Sequence, residues 1–211
     1  MKKTTILCYG DSNTFGQNPD GGRYSYSERW PTILAESLGS EFYVLEEGLS
    51  GRTINHDDQN PNKPCKNGWT LFRPMLASHR PDYTIVLLGT NDTKIFYDEN
   101  PVAIAQNLNK YIAACKEFSS KLILVSPAPA TNGFINSQTG LSDGGEYDQE
   151  SLEKMMTLVS EIEKIAKADG SPYIDASVYV KTGNDKIHWD KQSHQVFARY
   201  VQEFLLKEFN F

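Results

Sequence analysis

The chain has 211 residues, of which 39% are hydrophobic and 23% charged, a composition that sustains one packed core and excludes intrinsic disorder. With 21 Lys+Arg against 27 Asp+Glu the net charge is −6, and no basic stripe forms, so nucleic acid and anionic membrane are not expected partners. The three cysteines, Cys8, Cys65 and Cys115, fit neither a disulfide framework nor a metal knuckle.

The first apolar run, residues 4–9, is cut by Gly10 and Asp11. It is too short for the hydrophobic region of a signal peptide, and no later stretch approaches a membrane span. It reads instead as a buried strand, and a cytoplasmic location is expected. Four more short runs read as strands: residues 42–45, 84–88, 121–126 and 172–175.

Helical periods lie between them. Trp30, Ile33, Leu34 and Leu38 share a face that stops at Gly39; Ile104, Leu108, Ile112 and Cys115 follow Pro101. Leu152, Met155, Met156, Val159, Ile162, Ile165 and Ala166 form a third stripe ending at Gly170, and Phe197, Val201, Phe204 and Leu205 a fourth. Strands alternating with helices predict a single domain over residues 1–211: a five-stranded, mainly parallel sheet in a three-layer α/β/α, flavodoxin-like arrangement. The segments 51–80 and 127–147 read as long polar loops, where substrate contacts are expected.

Ligands of open parallel sheets bind beyond the carboxyl ends of the strands. There the sequence places Gly10-Asp11-Ser12-Asn13, Gly48-Leu49-Ser50-Gly51-Arg52-Thr53, Gly89-Thr90-Asn91-Asp92 and, after the last strand, Asp185-Lys186-Ile187-His188. A serine hydroxyl becomes a nucleophile when a neutral imidazole takes its proton, and the imidazole needs a carboxylate to hold its tautomer. Asp185 and His188, three apart, can meet in one turn and leave Nε2 facing Ser12. The Ser12 and Gly51 N–H groups and the Asn91 amide can then serve as donors to an oxyanion.

These four segments, in this order and over nearly the whole chain, resemble the blocks of the SGNH (GDSL-type) hydrolases. GLSGRT, LLGTNDTK and the preceding VLEEG are most similar to the bacterial arylesterase and acyltransferase branch. The resemblance implies Ser12 as nucleophile, His188 as base, Asp185 as its orienter, and Ser12, Gly51 and Asn91 as the oxyanion hole. Gly48 also qualifies as the donor glycine, though the branch's pattern favours Gly51. Asn13 stands where the family name implies Leu, at a position read as variable and outside catalysis.

The expected activity is hydrolysis of small carboxylic esters, acetyl, aryl or acetylated carbohydrate, through an acyl-enzyme, with acyl transfer to alcohols as a branch. No cofactor or metal is expected. Members of the resembled branch include oligomers, so self-association is one expectation. The rival readings are a thioesterase or lysophospholipase using the same site and, from another class, a flavodoxin-like nucleotide-binding module; neither a Walker loop nor a G-x-G-x-x-G fingerprint is present.

Other polar residues have plainer readings. Asp11 is read as bonding loop N–H groups, and Asp92 as closing a turn. His56, beside Asp57 and Asp58, lacks a second histidine at ligand spacing. Ser50 lacks the glycine that a nucleophile elbow needs, because Arg52 stands there. Among the aromatics Trp30, Trp69, Phe96, Tyr97, Phe134 and Trp189, the last two are expected to touch substrate: Trp189 follows the base and Phe134 lies in a long loop.

Overall fold

A computed structural model describes residues 3–58, 60 and 62–208. Five strands, β1 (Thr4–Gly10), β2 (Phe42–Gly48), β3 (Tyr83–Leu87), β4 (Lys121–Ser126) and β5 (Tyr173–Asp175), form one sheet in the order β2-β1-β3-β4-β5. Every pair is parallel. This is the expected α/β fold.

Side chains alternate across the sheet, so neighbouring residues of one strand enter opposite cores. Leu7 and Tyr9 of β1 face helices α3 (Gly68–His79), α4 (Pro101–Gln106), α5 (Asn109–Glu117) and α6 (Gln149–Asp169), joined there by Phe72, Ile104, Tyr111 and Leu158. Ile6 and Cys8 face α2 (Trp30–Leu38) and α7 (Lys191–Glu208), joined by Trp30, Leu34, Phe197 and Val201.

Two expectations change. The segment 51–80 is not all loop, because α3 occupies its second half, capped by Asn67, whose side chain accepts from Trp69 N–H. Pro74 inside that helix and its few buried positions hide the helical period. Residues 59 and 61 of the same segment lie outside the described residues. The period after Pro101 is carried by two helices rather than one: the Asn107 side chain donates to Ala103 O and Glu99 Oε1, ending α4 before α5 begins.

The strand order reverses between β1 and β3, a switch point where loops diverge and leave a crevice. Gly10 pairs with Gly48 on one side and Leu87 on the other, so three strands end nearly level. A one-turn helix, α1 (Ser12–Phe15), packs directly on those ends. A Cβ on Gly48 would lie 2.1 Å from Phe15 N, so glycine is required there for close approach.

Candidate active site

The Asp11 side chain caps α1 by accepting Asn13 N–H at 3.0 Å, which sets Ser12 at the first helical position. Ser12 Oγ lies 3.0 Å from His188 Nε2. His188 Nδ1 lies 2.6 Å from Asp185 Oδ2. The other oxygen, Asp185 Oδ1, accepts the N–H groups of Ile187 at 3.1 Å and His188 at 2.9 Å, folding the Asp185–His188 segment into the one turn that lets carboxylate and ring meet. Burial alone raises the Asp185 pKa, but bonds from the His188 ring and backbone outweigh it and hold the carboxyl below its ordinary value. The arrangement gives the hydroxyl a proton acceptor and the acceptor an anionic orienter.

Asn13, the departure from the family pattern, ties the two halves together: its Oδ1 accepts Trp189 N–H at 3.0 Å. Trp189 itself does not reach the site. It is fully buried and packs against Phe197, with ring centroids 4.9 Å apart, in the core beneath α7. The expectation that Trp189 contacts substrate is therefore corrected: its backbone is held by Asn13 and by an antiparallel bridge to Thr182, and its ring enters the core instead.

Leu49 to Arg52 forms a turn closed by Arg52 N–H donating to Leu49 O at 3.0 Å, with Gly51 at φ +80°. Asn91, in the 3-10 turn Thr90–Thr93 after β3, donates from Nδ2 to Arg52 O at 3.1 Å and accepts at Oδ1 from the Tyr147 hydroxyl at 3.2 Å. Ser12, Gly51, Asn91, Asp185, His188 and Phe134 all line one cleft of about 690 Å³. Gly48 does not line it. Of the two expected aromatic contacts, then, Phe134 lies on the cleft wall and Trp189 does not.

Several further residues support the site without entering the expected catalytic set. Arg52 is buried, with Nη1 donating to Gly10 O at 2.9 Å and to Glu47 O, and its guanidinium lies 4.1 Å from the centre of the Tyr9 ring. It fastens the turn to the ends of β1 and β2. Asp92 accepts Ile54 N–H at 2.9 Å, holding the same turn from the far side, and desolvation pushes its carboxyl up to about 8. Asp11 is pushed up to about 6 by burial, against the opposing Asn13 N–H bond. Tyr147, Lys63, Lys66 and Glu146, from segments without periodicity, also line the cleft, as does Lys94, which pairs with Glu146.

The remaining histidines stand elsewhere. His56 Nε2 lies 2.7 Å from Glu99 Oε2, and the ring stacks on Tyr97. His194 is buried, takes Trp30 N–H on Nδ1 at 3.3 Å, and is pushed down to about 4 by burial. His79 closes α3.

The sequence profile of the GDSL-like Lipase/Acylhydrolase family matches residues 8–196. Among solved structures, an aryl esterase of M. smegmatis is 30% identical with a TM-score of 0.85, over 97% of this chain and 99% of that one. A carbohydrate acetylesterase from Sinorhizobium meliloti is 29% identical, also at 0.85 and over the same shares. The uncharacterized lipoprotein YqeF of Bacillus subtilis is 26% identical over 132 residues, 61% of this chain, and the match spans half of that relative's length. Among the described residues no helix is long and apolar enough to cross a membrane.

Proposed function

The chain belongs to the GDSL-like lipase/acylhydrolase family, which makes it an ester hydrolase by class, and from that premise we propose that it is a serine esterase acting on small carboxylic esters. The observation that carries this is the unbroken contact chain from Ser12 Oγ through His188 to Asp185, at 3.0 and 2.6 Å, opening on the cleft.

In this reading His188 Nε2 takes the Ser12 proton as Oγ attacks the ester carbonyl, and Asp185 stabilises the imidazolium. The carbonyl oxygen becomes an oxyanion facing the Ser12 and Gly51 N–H groups and the Asn91 amide. His188 returns the proton to the leaving alcohol, and the acyl group stays on Ser12. Water, deprotonated by the same histidine, then releases the carboxylic acid; an alcohol in its place gives a transfer ester.

The cleft wall supports the proposed substrate class. Asn136, Asp143, Asn184 and Lys186 contribute polar groups, and Phe134, Ile187 and the Tyr147 ring a small apolar part. That lining suits a short acyl group on an aryl or acetylated-carbohydrate alcohol better than a long alkyl chain. The aryl esterase and carbohydrate acetylesterase neighbours support the same class.

The test is turnover of p-nitrophenyl esters from acetyl to palmitoyl, with ethanol as competing acceptor. Activity confined to short chains is expected, and the ratio of ethyl ester to free acid reports the transfer branch. A preference for long chains would favour the lysophospholipase or thioesterase reading instead.

A further inference from the structure

We propose that Lys66 is a positioning residue for the oxyanion hole, holding the Ser50–Gly51 peptide with the Gly51 N–H turned toward the reacting carbonyl; this rests on the serine-esterase reading above. The turn from Leu49 to Arg52 has Gly51 at its third position with φ +80°, while Ser50 is not among the residues with positive φ. That is the signature of a type II turn.

Type I and type II turns share their outer residues and closing bond but differ by about a half-rotation of the central peptide. Here the central peptide is Ser50–Gly51, and its N–H is one of the proposed oxyanion donors. Nothing in the closing bond from Arg52 to Leu49 decides which way that N–H points.

Lys66 does decide it. Its Nζ donates to Ser50 O at 2.6 Å. In a planar trans peptide the C=O and N–H point in opposite directions, so fixing the oxygen fixes the hydrogen. The lysine is itself held: Thr53 N–H donates to Lys66 O at 2.9 Å, and the side-chain stem runs back over Gly51, 3.5 Å from where a Cβ would stand. Among the described residues no carboxylate lies within ion-pair distance of Lys66, and no acceptor takes the Gly51 N–H. A cationic donor on the carbonyl also polarises the peptide and strengthens its N–H as a donor.

The experiment measures kcat and KM for p-nitrophenyl acetate, a neutral ester, on Lys66→Met and Lys66→Arg, with Ser12→Ala and Asn91→Ala alongside and thermal midpoints for all. Removing an oxyanion donor outright costs about 10²–10³ in rate, so losing its orientation is expected to lower kcat about tenfold or more in Lys66→Met. KM should stay within about twofold, because a developing oxyanion is felt in the transition state and not in the bound ester. Inhibition by phenylboronic acid, which forms a tetrahedral anion on a serine, should weaken by the same factor, and Lys66→Arg should recover most of both.

Unchanged kcat in Lys66→Met overturns the proposal, as does a raised KM alone, which would make Lys66 a substrate contact. Equal loss in Lys66→Met and Lys66→Arg with lowered midpoints would make it a packing residue; if Lys66→Met does not fold, Lys66→Gln takes its place. Ser12→Ala with wild-type turnover would overturn the esterase reading and this inference together. Ser12→Ala and Asn91→Ala impaired while Lys66→Met is not would overturn this inference alone.

Discussion

The Tyr147 hydroxyl donates to Asn91 Oδ1 at 3.2 Å, and both groups are buried. The bond turns the Asn91 Nδ2 group toward Arg52 O and the cleft, so a phenol from the long loop before α6 orients an amide from the end of β3. One net hydrogen bond is worth about 0.5–1.5 kcal/mol. Tyr147→Phe, which keeps the ring, should therefore lower kcat/KM for p-nitrophenyl acetate about 2- to 10-fold, whereas Asn91→Ala should lose about 10²–10³. Steady-state kinetics on the two variants checks the ranking.

Asp185→Asn should keep the turn, because an amide oxygen can still accept the Ile187 and His188 N–H groups, but it no longer offers His188 Nδ1 an anion. The imidazole then loses both its tautomer preference and the stabilisation of its charged form. A fall in kcat of at least about 10², and up to about 10⁴, is expected with KM little changed.

Much of this site is legible from sequence because its parts sit at strand ends, where glycine, serine, asparagine and histidine interrupt apolar runs. The parallel sheet and its strand-end segments follow from that alternation. What escaped is directional. The proximity of Trp189 to His188 along the chain suggested a substrate contact, yet its ring faces the core beneath α7. Lys66, Tyr147 and Glu146 arrive from irregular loops, where no period encodes which way a side chain points. Helix α3 was hidden by Gly68 and Pro74, residues that ordinarily argue against a helix.

Asp92 gives stability a pH dependence. Loss of hydration raises its carboxyl to about 8, over the opposing N–H bonds from Ile54 and Asn55, whereas an unfolded aspartate titrates near 3.9. The folded chain binds this proton more tightly than the unfolded chain. Its stabilising contribution is thus full below about pH 4 and is lost as pH rises through about 8. Asp11, raised to about 6 by the same cause, adds to the acidic part of that window. Thermal denaturation from pH 4 to 9 should show a falling midpoint, and Asp92→Asn should flatten the fall; an equal slope would contradict the assignment.

Glu146 bridges two lysines from different segments, Lys63 Nζ at 2.6 Å and Lys94 Nζ at 2.8 Å. The Lys94 side chain is only 5% exposed, so removing its counter-charge leaves a cation in a poorly hydrated place. Breaking a fully buried pair costs about 3–5 kcal/mol, less here because Glu146 is 30% exposed. Glu146→Gln should lose about 1–3 kcal/mol, seen as a lower thermal midpoint, and raise KM because the segments it joins line the cleft.

In the proposed mechanism Ser12 Oγ attacks the ester and carries the acyl group. Intact-protein and peptide mass spectrometry after treatment with a fluorophosphonate measures this most directly. One phosphonyl adduct is expected, on the peptide containing Ser12, formed in step with loss of esterase activity and absent from Ser12→Ala. An adduct on another residue, or esterase turnover that survives in a folded Ser12→Ala, would contradict it.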